Sequence, residues 1–141
     1  MKNLLVAIDG SEHCKRAAER ALELAKILSA KITIITAIAP VPQHWAGTSP
    51  VYVETLVQKQ EAHAHVVAEQ YKKFFEEEGL EATTVVQKGD PAEEINKVVD
   101  AGDYYMVIMG SRGLTGIKRA LLGSVTNNVV QSCKIPVLVV K

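Results

Sequence analysis

The sequence predicts a doubly wound α/β fold, with a single five-stranded parallel sheet in the order 3-2-1-4-5 and helices on both faces. Five short apolar runs are mostly continuous rather than alternating, as expected for strands buried on both faces of a parallel sheet. Segments with helical periodicity separate these runs, and strict alternation of strands and helices favours right-handed crossovers. Because 141 residues is the length of one typical domain, residues 1–141 are expected to form a single domain.

The predicted strands are rich in Val, Ile, Thr and Tyr. They occupy residues 4–8, 32–39, 82–87, 104–109 and 136–140. The first predicted helix spans residues 11–29, where small and apolar side chains recur on one stripe and charged ones lie elsewhere. A loop with three prolines and a glycine covers residues 40–50 and excludes a helix there. A long helix is expected at residues 51–78, and Gly79 ends it.

The third and fourth helices have clear start and stop signals. Asp90, Pro91 and Glu93 supply an N-cap acid, a proline at the first helical position and a capping-box acid, so the third helix runs from there to about residue 101. The fourth helix begins near Ser124 and ends before Pro136, because the residue preceding a proline avoids helical dihedral angles.

Composition excludes several classes of protein. The formal net charge of zero argues against a dedicated nucleic-acid binder, which would have a basic excess. No apolar run approaches the roughly 20 residues that cross a bilayer. Asp9 interrupts the first apolar run, so a signal peptide is not expected. Cys14 and Cys133 are too few for a disulfide framework or a metal knuckle, and buried or half-buried thiols in a reducing cytoplasm are expected instead.

The end of the fourth predicted strand is the most informative segment for function, since ligands of doubly wound sheets bind at the carboxyl ends of the strands. Gly110 and Gly113 bracket two residues there, which lets the backbone turn sharply and approach a ligand closely. Gly123 and Ser124 follow nine residues later at a helix start, where unpaired N–H groups and the helix dipole form an anion site. Ser124 can also donate its hydroxyl and cap the helix.

Positive charge lies in the same loop, on Arg112, Lys118 and Arg119. Each glycine pair taken alone has a plainer interpretation, a turn in one case and a helix cap in the other. Taken together, at the end of a parallel strand, the two pairs favour a polyphosphate site.

The pattern Gly-x-x-Gly, nine residues, Gly-Ser is similar to the ATP-binding motif of the universal stress protein family. Here it reads Gly110-Ser-Arg-Gly113, then residues 114–122, then Gly123-Ser124. The resemblance covers the whole chain and includes the runs 6–11, 89–91, 107–111 and 136–140. Because the complete glycine motif is present, the chain resembles the branch of the family that holds ATP.

The resemblance implies a cytoplasmic regulatory or stress-response module that binds ATP together with Mg²⁺. It implies that the glycines and Ser124 hold the phosphates and the ribose. Ala37 would line the adenine, and Asp9 would lie near the ribose and triphosphate and help hold the cation. The full set of binding residues implied in this way is Asp9, Ala37, Met109, Gly110, Arg112, Gly113, Gly123, Ser124 and Val125.

The last predicted strand bears on assembly. In the order 3-2-1-4-5 it lies at the edge of the sheet, and an exposed apolar edge is a pairing site unless it is covered. A two-fold homodimer that joins the two final strands would cover it, and the family resemblance implies the same arrangement.

Other functions remain as alternatives or are excluded. A slow ATP hydrolase or phosphate-transferring enzyme on the same site stays open, although the sequence offers no paired carboxylates and no Gly-Lys-Ser/Thr phosphate loop. A phosphorylation-dependent receiver domain would need clustered acids after the first strand, and only Asp9 is there. A dinucleotide oxidoreductase would need Gly-x-Gly-x-x-Gly at that point, which is absent.

Several single residues have two interpretations. Asp9 either serves the nucleotide or caps the following helix. His13 is expected in solvent rather than in the pocket, and the adjacent residues His44 and Trp45 either fold over a ligand or lie at the surface. His63 and His65 do not have the i, i+4 spacing of a zinc pair.

Overall fold

A five-stranded parallel sheet forms the centre of the molecule. The computed structural model describes residues 1–40, 47, 49–112 and 122–141. The strands are β1 (Asn3–Ala7), β2 (Lys31–Ile38), β3 (Ala82–Lys88), β4 (Met106–Gly110) and β5 (Val137–Val140). All neighbouring pairs are parallel and the order is β3-β2-β1-β4-β5, which confirms the predicted topology.

Four helices connect the strands and cover both faces of the sheet. They are α1 (Glu12–Leu28), α2 (Pro50–Glu77), α3 (Pro91–Ala101) and α4 (Ser124–Ser132). Helices α1 and α2 pack on one face of the sheet. Helix α1 lies against β1, β4 and β5, and α2 lies against β2 and β3. On the other face, α3 and α4 contact each other. The predicted layers are therefore confirmed.

The sheet is buried between two apolar layers because its side chains alternate in direction along each strand. Leu4, Val6 and Ile34 point into the layer under α1 and α2, which is completed by small alanines of α1 and by Phe75. Leu5 and Ile35 point into the layer under α3 and α4. Both faces of these strands therefore need apolar side chains, which is why the apolar runs in the sequence are continuous.

Local capping sets where the helices begin and end. The Ser11 side chain accepts a hydrogen bond from the N–H of Cys14, and the Asp90 carboxylate accepts one from the N–H of Glu93 at 3.1 Å. Gly79 has a φ of +84°, and its N–H donates to the Glu76 carbonyl, so it ends α2 as expected. Ser29 caps the end of α1 in the left-handed backbone conformation, with a φ of 52°.

Strand β4 starts two residues later than the sequence predicts. The apolar and aromatic run suggested residue 104, but β4 begins at Met106. Tyr105 is still at the surface, where the Lys2 ammonium lies 4.6 Å from the centre of its ring. The two tyrosines before Met106 therefore led the sequence analysis to place the start of the strand too early. In the part of the chain that the structure describes, no helix is long and apolar enough to cross a membrane.

Candidate functional site

A cleft of about 430 Å³ opens at the carboxyl ends of β1, β2 and β4. Its volume falls in the usual range for small-molecule sites. The chain leaves β1 toward β2 on one side, and β4 lies on the other, so the cleft occupies the topological switch point of the sheet. The sequence predicted a ligand site at this edge.

The cleft spans both layers of the molecule. On the side of α3 and α4 its wall is apolar and includes Ala7, Ile95, Met109 and Val125. On the side of α1 and α2 it includes Ile8, Cys14 and Val67, together with polar residues. A ligand that fills the cleft would contact both layers across the end of the sheet.

The N-terminus of α4 forms one end of the cleft, and two hydrogen bonds tie it to β4. The N–H of Gly123 donates to the Ser111 carbonyl at 2.7 Å, and the Thr126 hydroxyl donates to the Gly110 carbonyl at 2.8 Å. The N–H groups of the first helical turn have no acceptor within the helix, and the helix dipole adds partial positive charge there. This end of the cleft is therefore suited to an anion.

Ser124 does not cap α4, and that expectation was wrong. Gly123 occupies the cap position, with a φ of −67° and no side-chain hydrogen bond, and Ser124 is the first helical residue. The helix itself begins at Ser124 as predicted, and the N–H of the cap residue Gly123 donates to the Ser111 carbonyl. Ser124 is exposed and lines the cleft. Gly123 and Val125 are half-buried and also line it.

Packing accounts for the first glycine of the motif. A Cβ atom on Gly110 would lie 2.8 Å from the backbone carbon and oxygen of His13. The first turn of α1 thus packs directly on the end of β4, which leaves no room for a side chain. Gly110 also lines the cleft, as does half-buried Arg112. His13 is half-buried, and its Nδ1 lies 2.9 Å from a guanidinium nitrogen of Arg16.

Several predicted residues lie outside the part of the chain that the structure describes. They are Gly113, Lys118, Arg119, His44 and Trp45.

Asp9 lines the cleft at the end of β1, and its carboxylate is exposed. Its Oδ1 accepts a hydrogen bond from the N–H of Ser11 at 2.9 Å. Asp9 does not cap α1, since Ser11 does so, and the interpretation of Asp9 as the helix cap is wrong. Asp9 instead holds the turn between β1 and α1. Within the described residues, no group of three or more His, Cys, Asp or Glu side chains is arranged to hold a metal ion.

Ala37 is half-buried near the end of β2 and lines the cleft. It lies on the same strand face as Ile35, which packs in the layer of α3 and α4. Ala37 and Met109 therefore belong to the apolar side of the cleft. Of the nine predicted binding residues, the eight that the structure describes all line this one cleft.

Sequence reasoning missed the contribution of α2. Gln60, His63, Ala64 and Val67 line the cleft, and they follow the i, i+3, i+4, i+7 spacing of a single helix stripe. The Nε2 atom of His63 lies 3.9 Å from where a Cβ of Gly10 would be, so the imidazole lies over the turn that follows β1. The spacing was visible in the sequence, but nothing in it indicated which part of so long a helix reaches the end of the sheet.

Cys14 was also missed as a residue of the cleft. It is buried, its Sγ donates to the Ser11 carbonyl at 3.0 Å, and its Sγ lies 3.7 Å from the Tyr71 hydroxyl. Burial raises the pKa of Tyr71 above its ordinary value, and the hydrogen bond with Cys14 raises it further. The expected burial of the two cysteines is confirmed, since Cys14 is a buried free thiol and Cys133 a half-buried one.

A doubly wound parallel sheet with a ligand-sized cleft at its switch point places the chain in the doubly wound α/β class, in which ligands bind at this edge of the sheet. The chain belongs to the universal stress protein family, whose family model matches residues 1–141.

Individual relatives agree with this assignment. The universal stress protein YxiE of Bacillus subtilis is 30% identical, over 98% of this chain and 97% of its own length. The solved structure of the protein MJ0577 of Methanocaldococcus jannaschii has a TM-score of 0.86 and 30% identity, over 99% of this chain and 95% of that one. A universal stress protein solved in complex with cAMP has a TM-score of 0.73 and 25% identity, over 99% of this chain and 97% of that one.

Proposed function

We propose that residues 1–141, as one domain, form an ATP-binding regulatory module of the cytoplasm. The observation that carries the proposal is the attachment of the α4 N-terminus to the end of β4, beside a cleft that an adenine nucleotide would fill. The solved relative in complex with cAMP supports an adenine nucleotide as the ligand class.

The phosphates are proposed to bind at the α4 end of the cleft. There the N–H groups of Ser124 and Val125 belong to the first helical turn, and the Ser124 hydroxyl is exposed. Arg112 lines the same cleft and supplies positive charge. Gly113, as the second glycine of the motif, is proposed to contribute its backbone amide.

The adenine is proposed to bind on the apolar side of the cleft. Ala37 and Met109 supply apolar contact there, and Ile95 and Val125 complete the apolar wall. Gly110 also lines the cleft and is proposed to contact the ribose through its backbone. Ligand sites of this kind are mostly apolar with a few placed polar groups, as this cleft is.

Asp9 fits a role beside Mg²⁺ that the nucleotide brings. Mg²⁺ commonly binds to one or two carboxylates and substrate phosphates and keeps several waters. Asp9 is the acid in the cleft wall among the described residues, and its second carboxylate oxygen is not used by the hydrogen bond to Ser11. When bound, the cation would neutralise phosphate charge.

The chain is also proposed to form a homodimer through β5. This strand lies at the edge of the sheet, and all four of its residues, Val137–Val140, are only half-buried. An apolar edge of this kind pairs readily with a second copy, and a two-fold arrangement would cover both edges at once.

The proposal is tested on the protein as purified. The protein is denatured, any released small molecule is identified by mass spectrometry, and ATP with Mg²⁺ is titrated into the stripped protein. Release of ATP or ADP, or saturable binding of added ATP, is the expected result. If nothing is released and nothing binds, the glycine motif serves only as a turn and a cap.

A variant of the motif sharpens the test. Gly123→Val should abolish ATP binding with the fold intact, because a branched side chain would stand where the phosphates approach, whereas the φ of −67° at this residue suits any L-amino acid. Asn127→Ala, on the exposed side of the same helix, is the matched control and should bind ATP normally. Normal affinity in Gly123→Val would contradict the phosphate assignment.

A further inference from the structure

The α2 side of the cleft holds polar groups that the proposed contacts with ATP do not use. Gln60 and His63 lie at the exposed end of the α2 stripe, one helical turn before the buried residues Ala64 and Val67. Lys88, the last residue of β3, forms an ion pair with Glu61. This ion pair joins α2 to the end of β3 one residue from Gln60.

Thr36 lies across from this stripe and is unusual. It lines the cleft and is 5% exposed, and its Oγ1 is buried with no hydrogen-bond partner among the described residues. It lies on the strand face of Ile34, which packs in the layer of α1 and α2. A buried hydroxyl without a partner lowers stability, so its presence in a cleft wall points to a ligand. The Oγ1 atom is buried in this rotamer, and rotation about the Cα–Cβ bond moves it to other staggered positions, from which it can face a ligand in the cleft.

The position of these groups relative to the α4 end indicates which part of a nucleotide they meet. Strand β1 lies between β2 and β4, and adjacent strands are about 4.8 Å apart, so the end of β2 is roughly 10 Å from the end of β4. A ribose bridges that span between a phosphate at α4 and a base near β2. Thr36, Gln60 and His63 are therefore at the nucleoside end of the cleft.

We propose that Thr36, Gln60 and His63 form the wall that selects the nucleoside, and that this wall favours adenine. The inference rests on the proposed function, since it assigns the specificity of the same cleft. A carboxamide offers one acceptor and two donors, and it pairs with both the amino group and a ring nitrogen of adenine. Gln60 supplies that group, while His63 and Thr36 contact the remaining polar atoms of the base or sugar.

The test compares the affinities of ATP, GTP and ITP in the wild type and in matched variants. GTP and ITP carry an oxygen where adenine has its amino group, so the three ligands share the phosphates and differ at the edge that Gln60 reads. Wild type is expected to prefer ATP. In Gln60→Ala, the ratio of ATP to ITP affinity should fall by about tenfold, as for the loss of one two-point contact. His63→Ala should weaken ATP binding as well.

Two neighbouring residues on the same helix supply the controls. Gln58 and His65 are exposed, and neither belongs to the cleft wall. Gln58→Ala and His65→Ala should therefore leave all three affinities unchanged. Variants that lower affinity equally at positions 58 and 60 would show a general effect of altering α2 and would overturn the proposal.

Thr36→Val adds a readout that a purely structural residue would not give. Valine has nearly the same shape and removes the unpartnered hydroxyl, so the ligand-free protein should become more stable to urea while its affinity for ATP falls. Higher stability with unchanged ATP affinity would remove Thr36 from the site.

The outcomes separate this inference from the proposed function. If the wild type binds ATP and Gly123→Val does not, but Gln60→Ala keeps the wild-type ratio of ATP to ITP affinity and His63→Ala keeps the wild-type affinity for ATP, the proposed function stands and the selecting wall is wrong. If the wild type binds none of the three nucleotides, both are wrong.

Discussion

The Thr126 hydroxyl donates to the Gly110 carbonyl at 2.8 Å in the interior of the protein. Gly110 ends β4, and Thr126 is in the first turn of α4, so the bond joins the two parts of the glycine motif. The bond from Gly123 to Ser111 reinforces it at 2.7 Å. The α4 N-terminus is thus held against the cleft by the backbone of β4.

Thr126→Val should lower both stability and nucleotide affinity. The Gly110 carbonyl loses its buried donor, which costs about 1–3 kcal/mol of unfolding free energy, and the α4 N-terminus is held less firmly. Urea unfolding and ATP titration measure the two effects. Thr55→Val, which removes an exposed bond within α2, is the control and should change stability by no more than about 0.5 kcal/mol. Equal effects at the two positions would contradict the role given to Thr126.

Gly110→Ala should destabilise the fold even without any ligand. The new Cβ would be 2.8 Å from backbone atoms of His13, and backbone cannot move aside as a flexible side chain can. Overpacking of this kind costs about 1–3 kcal/mol. The matched control is Gly47→Ala, since a Cβ on Gly47 would meet nothing within 4 Å among the described residues. Unchanged urea stability of Gly110→Ala would show that α1 adjusts freely against β4.

Asp9→Asn should separate the charge of this residue from its hydrogen bond. The amide oxygen still accepts from the Ser11 N–H, so stability is retained, but the charge that would help hold Mg²⁺ is lost. We expect the strengthening of ATP binding by Mg²⁺ to shrink, measured as the ratio of affinities with Mg²⁺ and with a chelator. Asp9→Ala should lose that ratio and also about 1 kcal/mol of stability. A full magnesium effect in Asp9→Asn would remove the residue from the metal site.

Val139→Pro should dissociate the proposed homodimer without disturbing the monomer. The carbonyls of Pro136 and Val140 accept hydrogen bonds from the N–H groups of Val107 and Ser111. Successive residues of a strand direct their backbone groups to opposite sides, so the N–H of Val139 points away from the sheet. Proline removes that outward donor and is tolerated on an edge strand. Light scattering after size-exclusion chromatography should give the mass of one chain. Val139→Ala keeps the N–H and should remain a dimer, so a monomer in both variants would mean that the side chain rather than the backbone pairing matters.

Much of the fold was predictable because each local signal agreed with the others. Alternating apolar runs and helical segments defined the sheet, and the Asp90-Pro91 start and the Gly79 end of the helices are where the sequence indicated. The start of β4 was placed two residues early because aromatic residues before a strand look like the strand itself.

The candidate site was predictable where it is built from backbone turns and less so where it depends on the approach of elements distant in the sequence. The glycine motif marked the α4 end of the cleft from spacing alone. The contact of Gly110 with His13, across nearly a hundred residues, has no local signature. The same holds for Thr36, whose hydroxyl is unusual only because of what surrounds it in the folded chain.

The cleft reaches both apolar layers, so a bound ligand would act as a bridge between two parts of the protein that the sheet otherwise keeps apart. Helices α2 and α3 lie on opposite faces, and local opening of one element of a protein need not accompany opening of another. Occupancy would couple these openings, so amide hydrogen exchange should slow on both faces together when the cleft fills. Binding of one small molecule would thereby stabilise two separate outer surfaces of the protein together.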